Sequence, residues 1–435
     1  MSQLWIENGL FITMNDSEAV LRGHMVVTDD RITYIGAEAP EQASLAPDVQ
    51  RIDGSKLAFM PGLINTHGHA AMSLLRGYSD DQNLQVWLEQ KMWPMEGKYV
   101  DSDTRAGTAL AIVEMLKTGT TAFVDMYDRM DQVAQLVEQS GIRGVLTRGV
   151  IGLCPPDVQQ AKLVEATAFA RDWNGKADGR ISTMLSPHAP YTCPPDYIEK
   201  IVQAAHDLNL PLHTHMSETL AEVEQNVRDY GARPVEHLDK LGLFSRPALV
   251  AHAVHLNDEE IALLAERNVA VSHNPVSNLK LASGIARVPE LLRAGVTVSL
   301  GTDSVASNNN LDLFKEIKFA ALLHKGVSGD PTVVPAIEAL RMSTVYGAKS
   351  IWQEDKLGVL AAGMKADFIA IDTEQPHFYP QTDIVSHLVY AASGRDVLHV
   401  WVDGKQVVRD RICTQMDEEK IRFEAAASFD RLLNG

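Results

Sequence analysis

Short apolar runs of strand length alternate, through most of the chain, with longer stretches whose apolar positions recur every three or four residues. Eight runs have strand character: 59–67, 121–125, 143–148, 181–188, 212–215, 249–253, 269–272 and 296–301. Helical stretches separate them. One is expected over 103–117, stopping at Gly119, and another over 219–228, stopping at Gly231, since helices commonly end where glycine can turn the backbone left-handed. A third begins at Asn257 with Glu260 three residues on, the spacing of a capping box. Strand then helix, eight times over, predicts an α/β fold, a (β/α)₈ TIM-like barrel. The competing open, doubly wound sheet would carry GxGxxG after an early strand, and this sequence has none.

The two ends follow another rhythm. Short alternating strands are expected at 4–6, 10–14, 25–28 and 31–35, and again at 367–371, 399–402 and 405–408, the last two joined by an Asp403-Gly404 hairpin turn. Neither end has enough strand to make its own core. They are therefore expected to combine as one small β-sandwich, residues 1–58 with 365–435, beside a metal-dependent barrel of residues 59–364. A helix over 417–433 closes the chain.

With 435 residues there is room for a barrel of roughly 250 residues plus an accessory unit. A net charge of −18 argues against a nucleic-acid partner, because phosphate binding needs clustered lysine and arginine. Cys154, Cys193 and Cys413 are far apart and form no CxxC pair, which disfavours a disulfide framework or a thiolate zinc site. The segment 1–7 has no basic flank leading into an apolar core, and no apolar run approaches the ~18 residues of a membrane span, so a cytoplasmic location without membrane contact is expected. The sequence leaves room for a homo-oligomer.

Barrel enzymes carry their chemistry at the C-terminal ends of the strands. The first strand ends in Pro61-Gly-Leu-Ile-Asn-Thr-His-Gly-His69; residues two apart on a strand point the same way, so His67 and His69 can chelate one metal with Gly68 leaving room between them. The fifth ends at His215 and the eighth at Asp303. A lone histidine at a strand end is ordinarily structural. Three imidazoles and one carboxylate that meet only if a barrel forms are a reasonable Zn²⁺ set with a position left for water, and Fe²⁺ suits the same donors. Glu218, three residues past His215, can shuttle a proton between that water and a ring nitrogen; its bland alternative is a glutamate favoured by a helix N-terminus. His252, ending the sixth strand, can orient the attacking water. His213 and His255 are read as structural, and His273 as either support or substrate contact.

These motifs, with Trp93-Pro-Met-Glu96, Ser186-Pro-His-Ala-Pro-Tyr191, Ala251-His-Ala-Val-His255, Ser272-His-Asn-Pro-Val-Ser-Asn-Leu-Lys280 and Gly301-Thr-Asp-Ser304, resemble the amidohydrolase superfamily, in particular its 5-methylthioadenosine/S-adenosylhomocysteine deaminase branch. The resemblance implies metal ligation by His67, His69, His215 and Asp303, acid–base work by Glu218, and substrate contacts from Glu96, Arg148 and His188. Binuclear relatives bridge their metals with a carboxylated lysine at the end of strand four; residues 179–195 contain no lysine and His188 stands there, so one metal per chain is expected. A further arginine that related chains carry downstream of Arg148 has no equivalent in 155–162. The implied reaction is hydrolytic deamination of a small nucleoside, an adenosine thioether, with guanine, 8-oxoguanine, cytosine, a pterin or a triazine as the alternative ring. A barrel that has lost its chemistry and a binuclear amide hydrolase are the competing classes.

Overall fold

The computed structural model describes residues 2–434. Both ends of the chain enter one nine-stranded sheet. Its N-terminal contribution is Gln3–Ile12, Val20–Thr28, Arg31–Gly36, Gln50–Asp53 and Leu57–Pro61; its C-terminal contribution is Phe368–Asp372, Val397–Val402, Lys405–Arg409 and Ile412–Cys413. The two sets meet where Phe368–Asp372 runs antiparallel to Leu57–Pro61. The expected strands 4–6 and 10–14 are one strand with an irregularity between Ile6 and Gly9, where Asn8 turns to φ 58°. Phe11, Phe59, Phe368 and Trp401 form a buried aromatic row, with successive ring centroids 5.2, 6.4 and 4.6 Å apart.

All eight apolar runs of the middle region contain strand, and from Leu63 to Leu300 every strand pairing is parallel. The run expected over 59–67 is two strands, because Pro61 and Gly62 break it: Leu57–Pro61 joins the terminal sheet and Leu63–Asn65 the parallel one. Gly62 has a steric reason, since a Cβ there would lie 2.1 Å from Oγ1 of Thr121. Thr120–Tyr127 and Arg143–Val150 continue from Leu63–Asn65, followed by the short pieces Ile181–Thr183 and Ser186–Pro187. A second sheet runs Leu212–Met216, Ala248–His252, Ala270–His273, Val298–Leu300. Two seams connect the sheets: Leu185 bridges to Leu212, and Gly68 bridges to Asp303. At the second seam the amide of Thr66 donates to the carbonyl of Leu300 and that of Asp303 to His67, each at 3.0 Å. Intervening helices pack outside these strands, giving an α/β architecture of the TIM-barrel type.

The expected helices are present as Asp101–Lys117, Leu220–Tyr230, Asp258–Glu266 and Glu418–Asn434. The box at Asn257 is made in both directions, by 2.8 and 2.9 Å bonds with Glu260. Arg143 joins the parallel strands to the terminal sheet: its buried guanidinium donates to Asp367 at 3.1 Å and Asp403 at 2.9 Å. Glu418–Asn434 braces the insertion that follows the first parallel strand, where Lys98 Nζ donates to the carbonyl of Leu432 at 2.9 Å. No helix among the described residues is long and apolar enough to cross a membrane.

Candidate active site and metal centre

The C-terminal ends of the parallel strands surround a cavity of about 380 Å³. His69, Glu96, Arg148, His188, His215, Glu218, His252 and Asp303 line it, while His67 lies fully buried beside them. All nine site residues expected from the sequence are thus brought to one place.

The hydrogen bonds of the histidines determine which nitrogen faces the centre. Nδ1 of His69 donates to the carbonyl of Met126 at 2.6 Å, and Nδ1 of His215 to the carbonyl of His188 at 2.7 Å. His213 donates from Nδ1 to the carbonyl of Leu249 at 2.7 Å, so its Nε2 accepts from Nδ1 of His67 at 3.0 Å. A proton on each of these outer nitrogens leaves Nε2 of His67, His69 and His215 as lone pairs. They converge: Nε2 of His69 lies 3.3 Å from Nε2 of His215, and Asp303 Oδ1 lies 3.4 and 3.3 Å from those of His67 and His69. Nε2 of His67 is buried with no hydrogen-bond partner. Three lone pairs and a carboxylate oxygen turned toward one another repel unless a positive charge lies among them. This donor set fits a borderline cation such as Zn²⁺.

Electrostatics agree. Burial, and then the neighbouring imidazoles, push His215 well below its usual range; burial does the same to His67 despite Asp303, so both are neutral, the form that binds metal. Burial also opposes charge on Asp303 and His69, but the contacts of Asp303 with His67 and His69 prevail. Asp303 is held well below the usual carboxylate range and His69 is lifted to about 9. A proton on His69 and a cation at the centre answer the same need of Asp303 for a counter-charge. The second oxygen of Asp303 accepts from Ser277 at 2.6 Å and Ser307 at 3.0 Å.

Glu218 is buried at the cavity wall, where burial raises its carboxyl above the ordinary range. Its Oε1 accepts from Ser283 at 3.2 Å, and its Oε2 lies 3.6 Å from Nε2 of His252. Asn278 and Asn274 hold the other face of His252, at 2.8 and 3.4 Å from Nδ1. Glu96, reached through the helical insertion, accepts from the Tyr127 hydroxyl at 2.7 Å. His188 ends the fourth strand; burial, then the charge of His69, bring its imidazole down to about 3, so it is neutral. Arg148 lines the cavity with its charge already engaged by Asp128 and Glu165, each at 3.1 Å.

His213 and His255 have the structural roles expected of them. His213 supports His67, and His255 donates to the carbonyl of Ser283 at 2.6 Å, the residue whose hydroxyl donates to Glu218. His273 pairs with His324 at 3.3 Å outside the cavity lining, which makes it support. Ser277, Ser283, Ser307 and Glu222 were missed: Ser277 and Ser307 lie in the short helices Pro275–Lys280 and Val305–Asn308, Ser283 in a loop and Glu222 in the first turn of Leu220–Tyr230, where no periodicity marks them. Lys162 lines the cavity in the segment without an arginine, its Nζ donating to the carbonyl of Ile151 at 3.0 Å.

Residues 58–407 match the amidohydrolase family, and the chain belongs to that family of metal-dependent hydrolases. It is 46% identical over 433 residues to a 5-methylthioadenosine/S-adenosylhomocysteine deaminase of Desulforamulus reducens, covering 99% of each chain. It is equally 46% identical to a 5'-deoxyadenosine deaminase of Methanosarcina acetivorans, covering 100% of this chain and 99% of that one. The crystal structure of an adenosine deaminase from Xanthomonas campestris with bound zinc superposes with a TM-score of 0.93 at 36% identity, covering 100% and 99% of the two chains.

Proposed function

We propose that this enzyme hydrolytically deaminates the adenine ring of a 5'-substituted adenosine, 5'-methylthioadenosine, S-adenosylhomocysteine or both, releasing ammonia and the inosine analogue. The observation that carries the reading is the convergence of three imidazole lone pairs and Asp303 at 3.3–3.4 Å, beside Glu218 in a cavity of nucleoside size. The names of the relatives at 46% identity support the substrate class.

His67, His69, His215 and Asp303 would hold one Zn²⁺ per chain, and Fe²⁺ suits the same donors. When bound, the metal supplies a water whose pKa is lowered to about 7. Glu218 takes a proton from the attacking water and delivers it to N1 of the ring, which makes C6 electrophilic. The oxygen adds to C6 to give a tetrahedral carbon, with His252 steadying it. Asp303, facing the added oxygen, moves its remaining proton to the amine; the C6–N bond breaks, C6=O forms and ammonia departs. Glu96 binds the ribose hydroxyls, and Arg148 and the neutral His188 orient the substrate.

The two parallel sheets form one closed (β/α)₈ barrel, supported by the seams at Leu185–Leu212 and Gly68–Asp303. The terminal sheet bends into a sandwich, supported by Gln3–Ile12 pairing with Val20–Thr28, Gln50–Asp53 and Leu57–Pro61. The division lies near 1–58 with 365–435 against 59–364; a crystal structure with a flat terminal sheet or an open seam would overturn it. The net charge of −18 fits a cytoplasmic enzyme of small nucleosides that binds no nucleic acid.

The test is ammonia release by zinc-replete protein from adenosine thioethers, adenosine, guanine, 8-oxoguanine, cytosine, a pterin and a triazine. Preference for the thioethers is expected; turnover confined to a free base or a triazine overturns ribose recognition. Glu218→Gln should keep metal and substrate binding and lose ~10²-fold or more in turnover, the usual contribution of general acid–base catalysis.

A further inference from the structure

Glu222 is a buried carboxylate that the chemistry above does not use. It stands in the first turn of Leu220–Tyr230, capped by Thr219, whose side chain accepts from the amide of Glu222 at 3.2 Å. In a capping box a glutamate at this position would reach back to the amide of the cap residue itself. Glu222 bypasses Thr219. Its Oε1 accepts from the amide of Ser217 at 2.7 Å and its Oε2 from the amide of Glu218 at 2.8 Å. Both oxygens therefore grip the two peptide groups between the metal-binding strand and the proton carrier.

The gripped backbone is an unusual one. Ser217 has φ 54°, a left-handed conformation that side chains other than glycine disfavour. Such a residue persists only where its surroundings over-determine it. Here its carbonyl accepts from the amides of Val254 and His255, each at 3.0 Å, and its amide is held by Glu222. The Ser217 hydroxyl is buried without a hydrogen-bond partner, so the side chain does not explain the turn. This turn takes the chain out of the strand of His215 and aims Glu218 at Ser283 and His252.

We propose that Glu222 is a positioning residue for the reaction, clamping the left-handed turn at Ser217 so that Glu218 meets water and ring nitrogen in register. The inference rests on Glu218 being the proton carrier. Its loss should reduce kcat while leaving KM and metal content in place, because the misplaced group acts in the transition state. Small misplacements of a catalytic group cost up to roughly 10²-fold.

The experiment compares Glu222→Ala, Glu222→Gln and Glu218→Gln with the unaltered enzyme for kcat, KM and bound metal, and adds Ser217→Gly to Glu222→Ala. Glu222→Ala should lose roughly 10- to 100-fold in kcat. Glu222→Gln, of the same volume but with only one oxygen to accept, should fall between and provides the measurement if the alanine variant does not fold. Glycine adopts this φ without steric cost, so Ser217→Gly should restore much of the lost kcat. A merely structural role would show as less folded, metal-bound protein at an unchanged kcat. Unchanged kcat in both Glu222 variants, activity lost only in proportion to bound metal, or no recovery with glycine overturns the inference. Full turnover by Glu218→Gln overturns the underlying reading instead.

Discussion

His67 and His213 meet edge to face behind the proposed metal centre: Nδ1 of His67 lies 3.0 Å from Nε2 of His213, which is itself anchored to the carbonyl of Leu249. The contact fixes the tautomer of His67, which is fully buried. Outer partners of this kind typically contribute 10- to 100-fold to metal affinity. His213→Ala should weaken metal binding by about that factor, read by competition with a chromophoric chelator. Unchanged affinity would show that burial alone orients His67.

Glu96 and Tyr127 share a 2.7 Å hydrogen bond at the cavity wall, and burial raises the Glu96 carboxyl above its usual range. A carboxylate hydrogen-bonded to a ligand contributes ~1.5–3 kcal/mol. Glu96→Ala should therefore lose roughly 10- to 100-fold in kcat/KM for nucleosides. Activity equal to that of the unaltered enzyme on nucleosides would remove ribose binding from its role.

Glu316 ties two loops of the site together. It accepts from Asn308 Nδ2 at 2.7 Å, five residues beyond Asp303, and from the amide of Val276 at 3.2 Å, next to Ser277. Burial raises its carboxyl to about 8. The folded state thus holds a proton that the unfolded chain releases near pH 4.3. Its stabilising contribution is whole below that pH, declines as pH rises, and is gone above about 8. Glu316→Gln should flatten the fall of urea-midpoint stability between pH 5 and pH 8 by up to about 1.4 kcal/mol per pH unit. Parallel pH profiles for the two proteins would contradict this.

Arg143 is buried between Asp367 and Asp403. Removing one partner of a buried ion pair leaves the other charge uncompensated and typically costs 3–5 kcal/mol. Arg143→Met should lower unfolding stability by about that amount, measured in denaturant. A loss under ~1 kcal/mol, as for exposed pairs, would mean that water enters the junction.

The sequence alone determined the succession of eight strands with intervening helices, the pairing of the two chain ends, and the residue types of the proposed ligands His67, His69, His215 and Asp303. Those features follow from short-range rules: side-chain alternation along a strand, glycine and asparagine at helix ends, and catalytic groups at strand ends. The split of 59–67 at Pro61-Gly62 also had its cause in view, yet an apolar run looks the same whether it serves one sheet or two. Only the tertiary structure decided which nitrogen each histidine turns inward, because that depends on carbonyls of Met126, His188 and Leu249 far away in sequence. It alone brought Ser277, Ser283 and Ser307 onto the carboxylates, and Glu222 onto the turn at Ser217. A hydrogen bond is a matter of distance and direction in space, and no periodicity along the chain records it.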